Sequence, residues 1–151
     1  MRKFSMMMVA LMATLVAWAT PSLAQQATHK VAIQVNTNDP ATMNLALNNA
    51  QNIMTYYKQK NETVDVRVVT YGPGLHMLRD DTSPVKQRVA AMSLANPNLS
   101  FAACANTHEN MAKAENKKPE EIKIVSEGKM VPSGVITLME LQKQGFAYIR
   151  P

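Results

Sequence analysis

The stretch from Leu99 to Glu109 reads LSFAACANTHE and joins an apolar run to a polar one. Leu99 to Ala103 is typical of a buried strand, whereas Ala105 to Glu109 is typical of the start of a helix. Cys104, the only cysteine in the 151 residues, lies at the junction. In a parallel α/β sheet, strand carboxyl ends and helix N-termini line the ligand crevice. Free backbone N–H groups there favour a thiolate over a thiol.

The residues before this junction predict the same order of strand and then helix. Lys30 to Val35 (KVAIQV) is predicted as the first strand. Asp39 and Pro40 then supply an N-cap and a first-turn proline for a long helix. The apolar residues of this helix recur at helical spacing: Met43, Leu47, Ala50, Met54 and Tyr57.

The segment from Val64 to Thr70 (VDVRVVT) is predicted as the second strand. Its valines alternate with Asp65 and Arg67, which predicts one partly solvated face, as at the edge of a sheet. After the turn from Tyr71 to Gly74, Ser83–Pro84 predicts the start of a second helix.

The residues after Cys104 predict a third helix and a fourth strand. Asn106 is expected to cap the helix, with Glu109 in place to complete a capping box, and Pro119 lies where the helix must have ended. Ile122 to Val125 and Met130 to Val131 are expected strand pieces.

The end of the chain predicts a last helix and a last strand. Ser133 is expected to cap a helix that runs to Gln144, and Phe146 to Ile149 is expected to be the terminal strand. Five strands alternating with four helices predict a three-layer α/β/α fold with a mostly parallel five-stranded sheet. The strand carboxyl ends would then share one edge, made of four segments: Asn36 to Asn38, Tyr71 to His76, Cys104 to Thr107 and Pro132 to Gly134.

The first 24 residues have the three regions of a secretory signal peptide. Met1 to Lys3 is positively charged, Met6 to Ala19 is almost wholly apolar, and Ser22 to Ala24 has small residues at the positions that signal peptidase recognises. We expect cleavage after Ala24. No stable membrane anchor is then expected, because the apolar run is shorter than the ~20 residues of a spanning helix. Residues 25–151 are expected to form one domain.

Charge and cysteine content bear on whether the chain binds nucleic acid, a cofactor or a metal. The net charge of +5 includes two residues of the leader, and the remaining basic residues form no block, so no nucleic-acid partner is expected. One cysteine allows no internal disulfide. Gly72 to Gly74 lacks the lysine of a phosphate loop, and the cysteine and histidines lack the spacing of zinc motifs. No cofactor and no metal are therefore predicted.

Several segments, in this order, carry a resemblance to a known family: His29 to Val31 (HKV), Tyr71 to Leu78 (YGPGLHML), Cys104 to Thr107 (CANT), Val131 to Val135 (VPSGV) and Leu141 to Pro151 (LQKQGFAYIRP). The chain resembles the DsrE-like (DsrE/DsrF-like) family of small α/β proteins, in particular its exported branch. The resemblance covers residues 25–151 almost entirely.

The resemblance implies a flavodoxin-like DsrE-type fold and self-association into trimers or hexamers. In the sulfur-oxidation and tRNA-thiolation relatives a cysteine carries sulfur as a persulfide, and Cys104 matches it. After that cysteine those relatives have small and basic residues, where this chain has Asn106, Thr107 and His108. With the leader, the resemblance implies a periplasmic homo-oligomer that exchanges sulfur with a donor or acceptor protein or with a small thiol.

The candidate catalytic residues are therefore Cys104, His76 and His108. His108 lies one helical turn after Cys104, and His76 follows a glycine-rich turn at the same expected edge. Each histidine has an alternative interpretation as a solvated or locally hydrogen-bonded side chain. The candidate ligand-binding residues are Asn36, Tyr71, Gly74, Asn106, Thr107 and Ser133.

Two hypotheses of different class remain open. In the first, the chain is a sulfur carrier or sulfurtransferase in which the Cys104 thiolate takes sulfur from a donor and passes it to an acceptor thiol. In the second, it is a non-enzymatic oligomeric module that binds a small ligand or a partner segment, and Cys104 only packs. Thiol reactivity distinguishes them, since a carrier needs an accessible, acidic thiol.

Overall fold

The computed structural model describes residues 29–151, so the predicted signal peptide lies outside the described residues. The elements follow in the order β1 (His29–Val35), α1 (Pro40–Gln59), β2 (Val64–Thr70), a 3-10 segment (Gly72–Leu78), α2 (Lys86–Ala95), β3 (Leu99–Cys104), α3 (Ala105–Ala114), a 3-10 turn (Pro119–Glu121), β4 (Gly128–Val131), α4 (Gly134–Lys143) and β5 (Ala147–Ile149).

The five strands form one parallel sheet in the order β4-β3-β2-β1-β5. Strands β1 to β4 lie side by side in chain order, and the chain then returns through α4 to add β5 beside β1. The register aligns Val35 with Thr70 and Thr70 with Ala103, while Cys104 pairs with Val131. The carboxyl ends of β1 to β4 therefore meet at one edge, as predicted.

Two apolar clusters on opposite faces of the sheet make the fold three-layered. On one face α1 packs on the valines and Ile33 of β1 and β2, α2 packs on β3, and Met111 of α3 lies against the same cluster. On the other face α4 covers the sheet, with Leu138 and Leu141 against Ala32 and Val69. The predicted α/β/α class is confirmed.

The predicted start of α1 is confirmed in detail. The Asp39 carboxylate accepts the backbone N–H groups of Ala41 (3.2 Å) and Thr42 (3.0 Å), and Pro40 is the first helical residue. The apolar stripe from Met43 to Met54 is buried. Local capping chemistry and helical periodicity agree at this helix, so sequence alone determines its start.

Two predicted helix starts were wrong. Helix α2 begins at Lys86 rather than after Ser83, because Ser83 Oγ accepts the Val85 N–H (3.3 Å) and closes a turn before the helix. Helix α3 begins at Ala105, with Cys104 as its N-cap, so Asn106 is a first-turn residue and not the cap. The strand passes into the helix with no spacer.

The expectation that β2 is edge-like was also wrong. Strand β2 is the central strand, between β1 and β3. Its polar residues remain half-exposed because, within residues 29–151, α4 is the one helix that covers that face. Arg67 Nη2 bonds Asp65 (2.8 Å), and the Arg67 guanidinium lies 4.8 Å from the centre of the Phe146 ring. A partly covered face thus produces the same alternation as a sheet edge.

Candidate functional site

The candidate site lies at the carboxyl edge of the sheet, where β3 runs directly into α3. Cys104 is the last residue of β3 and the N-cap of α3, with extended backbone angles (φ −72°, ψ 116°). Its residue surface is only 4% exposed. The thiol therefore lies inside this edge of the fold and not on its surface.

Polar groups at the start of two helices lower the pKa of the Cys104 thiol, although its side chain makes no capping hydrogen bond to α3. Burial alone raises the pKa of this thiol, but the Thr107 side chain and the backbone N–H groups of Gly134, Thr107 and Asn106 lower it, and the net shift is downward. Asn106 and Thr107 lie in the first turn of α3, and Gly134 is the first residue of α4. The positive ends of two helices thus favour the thiolate.

Thr107 links the thiol to the strand next to it. Its hydroxyl oxygen accepts the backbone N–H of Gly72 at 2.9 Å. Gly72 opens the 3-10 segment that follows β2. Thr107, a predicted ligand-binding residue, is thus hydrogen-bonded to Gly72 and lies three residues after the N-cap Cys104.

Gly134 brings α4 against the end of β2. A Cβ at position 134 would lie 2.8 Å from Tyr71 Cβ and 3.1 Å from Tyr71 Cδ1, so the residue must be glycine for this approach. Gly134 is not among the site residues predicted from the sequence. The signal was a glycine directly after the expected cap Ser133, at the start of a helix, where side chains are normally tolerated.

The same edge also includes the backbones of Asn36, Tyr71 and Gly74, which pack against one another. The Tyr71 N–H bonds the carbonyl of Val35 (3.2 Å), and the Gly74 N–H bonds the carbonyl of Tyr71 (3.1 Å). A Cβ at Gly74 would lie 2.2 Å from the Val35 oxygen and 2.7 Å from the Asn36 nitrogen. The turn after β2 is therefore packed directly on the end of β1.

Asn106 and Ser133 lie on either side of the gap between α3 and α4. The Asn106 N–H is directed to the carbonyl of Pro132 (3.4 Å), while its side chain is exposed. Ser133 is the N-cap of α4, but its side chain makes no capping hydrogen bond. Its carbonyl instead accepts both the N–H (2.9 Å) and the hydroxyl (2.8 Å) of Thr137.

His108 lies one helical turn after Cys104, which suggests the thiol as its partner, but its hydrogen-bond partner is a different group. Its Nε2–H donates to the carbonyl of Ile122 at 2.6 Å. The ring lines a shallow groove of about 380 Å³ together with Pro119 and Met130. This bond joins α3 to the segment before β4 and directs the imidazole to that segment.

His76 is likewise engaged by its own neighbourhood. Its Nδ1 is hydrogen-bonded to Thr82 Oγ1 at 2.7 Å. Burial lowers the pKa of His76, and the nearby Arg79 guanidinium lowers it further, so the neutral imidazole is favoured. His76 is thus bonded locally, though to a side chain and not to backbone, whereas His108 is neither simply solvated nor locally bonded, because its partner Ile122 lies 14 positions further along the chain.

A buried arginine next to His76 was not anticipated. Arg79 is 2% exposed and forms paired hydrogen bonds with Asp81 (3.0 and 2.8 Å), and it also bonds the Glu115 carboxylate. Glu115 follows the last turn of α3. In the sequence, Arg79 is followed by two aspartates, a pattern typical of a solvated turn. Its burial becomes evident only from the contact with Glu115.

Other clusters and cavities lie outside this edge. A cavity of about 450 Å³ is lined by residues 61–64 and 96–98, at the amino ends of β2 and β3 and thus at the opposite edge of the sheet. Within residues 29–151, no three His, Cys, Asp or Glu side chains are grouped to hold a metal ion. No helix in the described residues has the length and apolar character to span a membrane.

Comparison with known proteins places the chain in a family. A comparison with curated proteins finds no match. Among solved structures, a protein of unknown function from Methanobacterium thermoautotrophicum, MTH1491, is similar with a TM-score of 0.66 and 28% sequence identity, covering 82% of this chain and 99% of that one. The model of the DsrE/DsrF-like family matches residues 29–151. That match includes all five strands and the whole carboxyl edge, and this chain therefore belongs to the DsrE/DsrF-like family.

Proposed function

We propose that this protein is an exported sulfur carrier of the DsrE/DsrF-like family that holds sulfur as a persulfide on Cys104. The observation that carries the proposal is the convergence of two helix N-termini on one thiol. N–H groups from α3 and α4 and the Thr107 hydroxyl lower the pKa of Cys104 despite its burial. A cysteine that only packs in an apolar core would have a raised pKa.

The proposed reaction is a sulfur transfer between thiols. The Cys104 thiolate attacks the outer sulfur of a donor persulfide, R–S–SH. A new S–S bond forms on Cys104 as the donor S–S bond breaks, and the donor leaves as the thiolate R–S⁻. The proton stays on the transferred sulfur, and no net oxidation occurs. An acceptor thiolate then attacks this outer sulfur and releases Cys104 as a thiolate.

The site stabilises the anions of this exchange by hydrogen bonds alone. Cys104 is a thiolate before transfer and again after release, so donors fixed around its sulfur stabilise both states. His76 and His108 are hydrogen-bonded to Thr82 and Ile122, and the proposal assigns them no proton transfer. The acceptor thiol must belong to another molecule, because the chain has one cysteine.

A second candidate function rests on the burial of Cys104. At 4% exposure, the thiol is shielded in the closed chain, which is the expectation for a binding module with a structural cysteine. The two functions predict opposite outcomes in one experiment. Folded protein is incubated with a small persulfide donor, desalted and weighed by mass spectrometry, with Cys104→Ser as the matched control.

The carrier predicts a mass gain of one sulfur atom that reduction removes and that Cys104→Ser lacks. It also predicts that the added sulfur moves to a free thiol offered afterwards. The binding module predicts no gain in the folded protein and a gain only after unfolding. An unmodified folded protein would refute the carrier.

We also propose that the mature protein begins at Gln25 and acts in the periplasm. The support is the three-part leader of residues 1–24. N-terminal sequencing of protein recovered from the periplasm tests this. An intact Met1 on that protein would refute cleavage.

Assembly into a homo-oligomer, a trimer or a hexamer, is the third part of the proposal. Family membership supports it, as does the outer face of α4, where Val135, Ile136 and Met139 are each about half-exposed. Apolar side chains grouped on one helix face are typical of a contact between subunits. Sedimentation that shows a monomer over a wide concentration range would refute it.

A further inference from the structure

We infer that the edge strand β5 is a contact between two copies of this chain, in which the two β5 strands pair antiparallel about a two-fold axis at Tyr148. The inference rests on the proposed assembly into a homo-oligomer, and it names a surface that joins two subunits. That surface is an open edge of the sheet and is separate from the outer face of α4.

The hydrogen bonds at the two ends of β1 show which way its backbone groups point. The His29 N–H bonds the Thr63 carbonyl, and the Val35 carbonyl accepts the Tyr71 N–H, each at 3.2 Å. Successive residues of a strand direct their N–H and C=O groups to opposite sides of the strand. The odd-numbered residues of β1 therefore face β2, and the even-numbered ones face β5.

This alternation leaves one side of β5 open. Ala32 of β1 is in register with Tyr148, so it bonds the residues on either side of Tyr148, which are Ala147 and Ile149. The backbone groups of Tyr148 and Arg150 then point away from the sheet, and within residues 29–151 no backbone group bonds them there. The side chain of Tyr148 is 43% exposed, and Ala147 and Arg150 are exposed as well.

The opposite edge, β4, is closed to the same kind of pairing. By the same alternation, Gly128, Met130 and Pro132 face outward. The Gly128 N–H is bonded to the Val125 carbonyl (3.0 Å), and Pro132 has no N–H while its carbonyl accepts from Asn106 (3.4 Å). Within the described residues, β4 is left with the Met130 N–H as its outward donor. A proline on an edge strand is a common protection against pairing, and β5 has none within the strand.

The edge of β5 is complementary to a second copy of itself. With Tyr148 opposite Tyr148, these two residues exchange both backbone hydrogen bonds, and each Arg150 N–H reaches the Phe146 carbonyl of the other copy. Ala147 then lies opposite Ile149, so a small side chain faces a large one where side chains approach most closely. Arg150 faces Phe146 and not another arginine, so like charges do not oppose each other.

The size of this contact determines its place in the assembly. Stable interfaces bury about 1,200 Å² or more of total surface, which two strands of three residues do not reach. The β5 pair therefore joins subunits that a second contact, the outer face of α4, also holds. A two-fold contact between two trimers gives a hexamer.

Cross-linking at the axis tests the pairing. Tyr148→Cys, in a chain that also carries Cys104→Ser, has one thiol. The Cα atoms of a hydrogen-bonded pair lie about 5.5 Å apart, within the range of a disulfide. Mild oxidation is expected to give a covalent dimer on a non-reducing gel. Ala147→Cys in the same background is the matched control, because position 147 lies diagonal to its own copy, about 7 to 8 Å away. Its cross-linking is expected to be at least about tenfold slower, since a disulfide does not span that distance.

Sedimentation of two variants at one position tests the backbone hydrogen bonds. Tyr148→Pro removes the outward N–H and leaves the ladder with β1 intact, because that ladder uses the residues on either side. Tyr148→Ala keeps the N–H and loses the same ring and its hydrogen bond to Gln34. We expect a trimer for Tyr148→Pro and a hexamer for Tyr148→Ala. If Tyr148→Pro does not fold, the cross-linking decides.

The outcomes separate this inference from the proposed assembly. No cross-link at position 148, equal cross-linking at 147 and 148, or equal masses for Tyr148→Pro and Tyr148→Ala would overturn the inference, even if the wild-type protein is a trimer. A wild-type dimer that cross-links at position 148 and forms no larger species would support the inference and overturn the trimer or hexamer.

Discussion

Gly134→Ala tests whether α4 contributes to the thiol site independently of α3. The new Cβ would lie 2.8 Å from Tyr71 Cβ, whereas carbon atoms normally approach to about 3.5 Å. Tyr71 Cβ is next to the main chain and cannot swing away, so the start of α4 must move by several tenths of an ångström. This movement carries the Gly134 N–H away from Cys104.

Two effects of the substitution on stability oppose each other. Alanine is the better helix former by about 1 kcal/mol in a helix interior, and the gain is smaller at a first helical residue. Overpacking costs about 1 to 3 kcal/mol, so the clash prevails and we expect a lower free energy of unfolding. A bond to a charged group contributes about 1.5 to 3 kcal/mol, so partial loss raises the pKa of Cys104 by roughly 0.5 to 1 unit.

The assay combines urea unfolding with a pH titration of the single thiol, followed as ultraviolet absorbance minus that of the matching protein with Cys104→Ser. Val135→Ala is the matched control, because it changes the next residue of the same helix turn and its side chain is about half-exposed. It is expected to leave the midpoint unchanged. A Gly134→Ala protein that is less stable but titrates like wild type would refute the contribution of α4 to the thiolate.

Three further predictions concern the surroundings of the site. Gly74→Ala places a Cβ 2.2 Å from the Val35 carbonyl oxygen, which is a backbone atom. The substitution is expected to lower the free energy of unfolding, measured by urea titration, by about 3 kcal/mol or more. A variant of near-wild-type stability would contradict the close approach. The Arg79 guanidinium lowers the pKa of Glu115 from 4.5 to about 2, so the stability from this carboxylate is complete above pH 4.5 and is lost as the pH falls towards 2. Glu115→Gln should therefore lose less stability than wild type over that range in urea unfolding at stepped pH, and identical profiles would contradict the pairing. His108→Ala should leave the absorbance midpoint of the thiol unchanged; a midpoint raised by half a unit or more would show that the imidazole acts on the sulfur.

Elements whose signals are local were predictable from sequence. Asp39 and Pro40 act within one turn of chain, and the stripe of α1 follows from helical periodicity alone. The common carboxyl edge was also predictable, because it follows from parallel strands whatever their order. The position of Cys104 at this edge depends only on the boundary between strand and helix.

Features that depend on tertiary contacts were missed. The start of α3 was misplaced because Asn106 is a good cap in isolation, whereas its N–H faces the carbonyl of Pro132, a residue far along the chain. Arg67 gave β2 the alternation of an edge strand. The Phe146 ring that lies against it is far along the chain, just before β5, so the sequence of β2 does not show this contact. The donor role of Gly134 requires α4 to reach β3, and no periodicity encodes that contact.

The order of the strands has a consequence for how the protein acquires its chemistry. Three of the four strand pairs join strands that are neighbours in the chain, whereas β1 and β5 meet only after the chain has returned over the sheet. Gln34 and Tyr148, which are hydrogen-bonded across that last pair, are 114 positions apart. Contacts of long sequence separation form late, because the loop entropy must be lost first.

Helix α4 is part of that return, and it brings the Gly134 N–H to the sulfur. A chain that has built β1 to β4 but has not yet docked α4 holds Cys104 with donors from α3 only. Its thiol is then less acidic and a weaker nucleophile at neutral pH than in the finished fold. The topology therefore places one donor to this thiol on the segment that closes the sheet, and the full acidity of Cys104 depends on the complete fold.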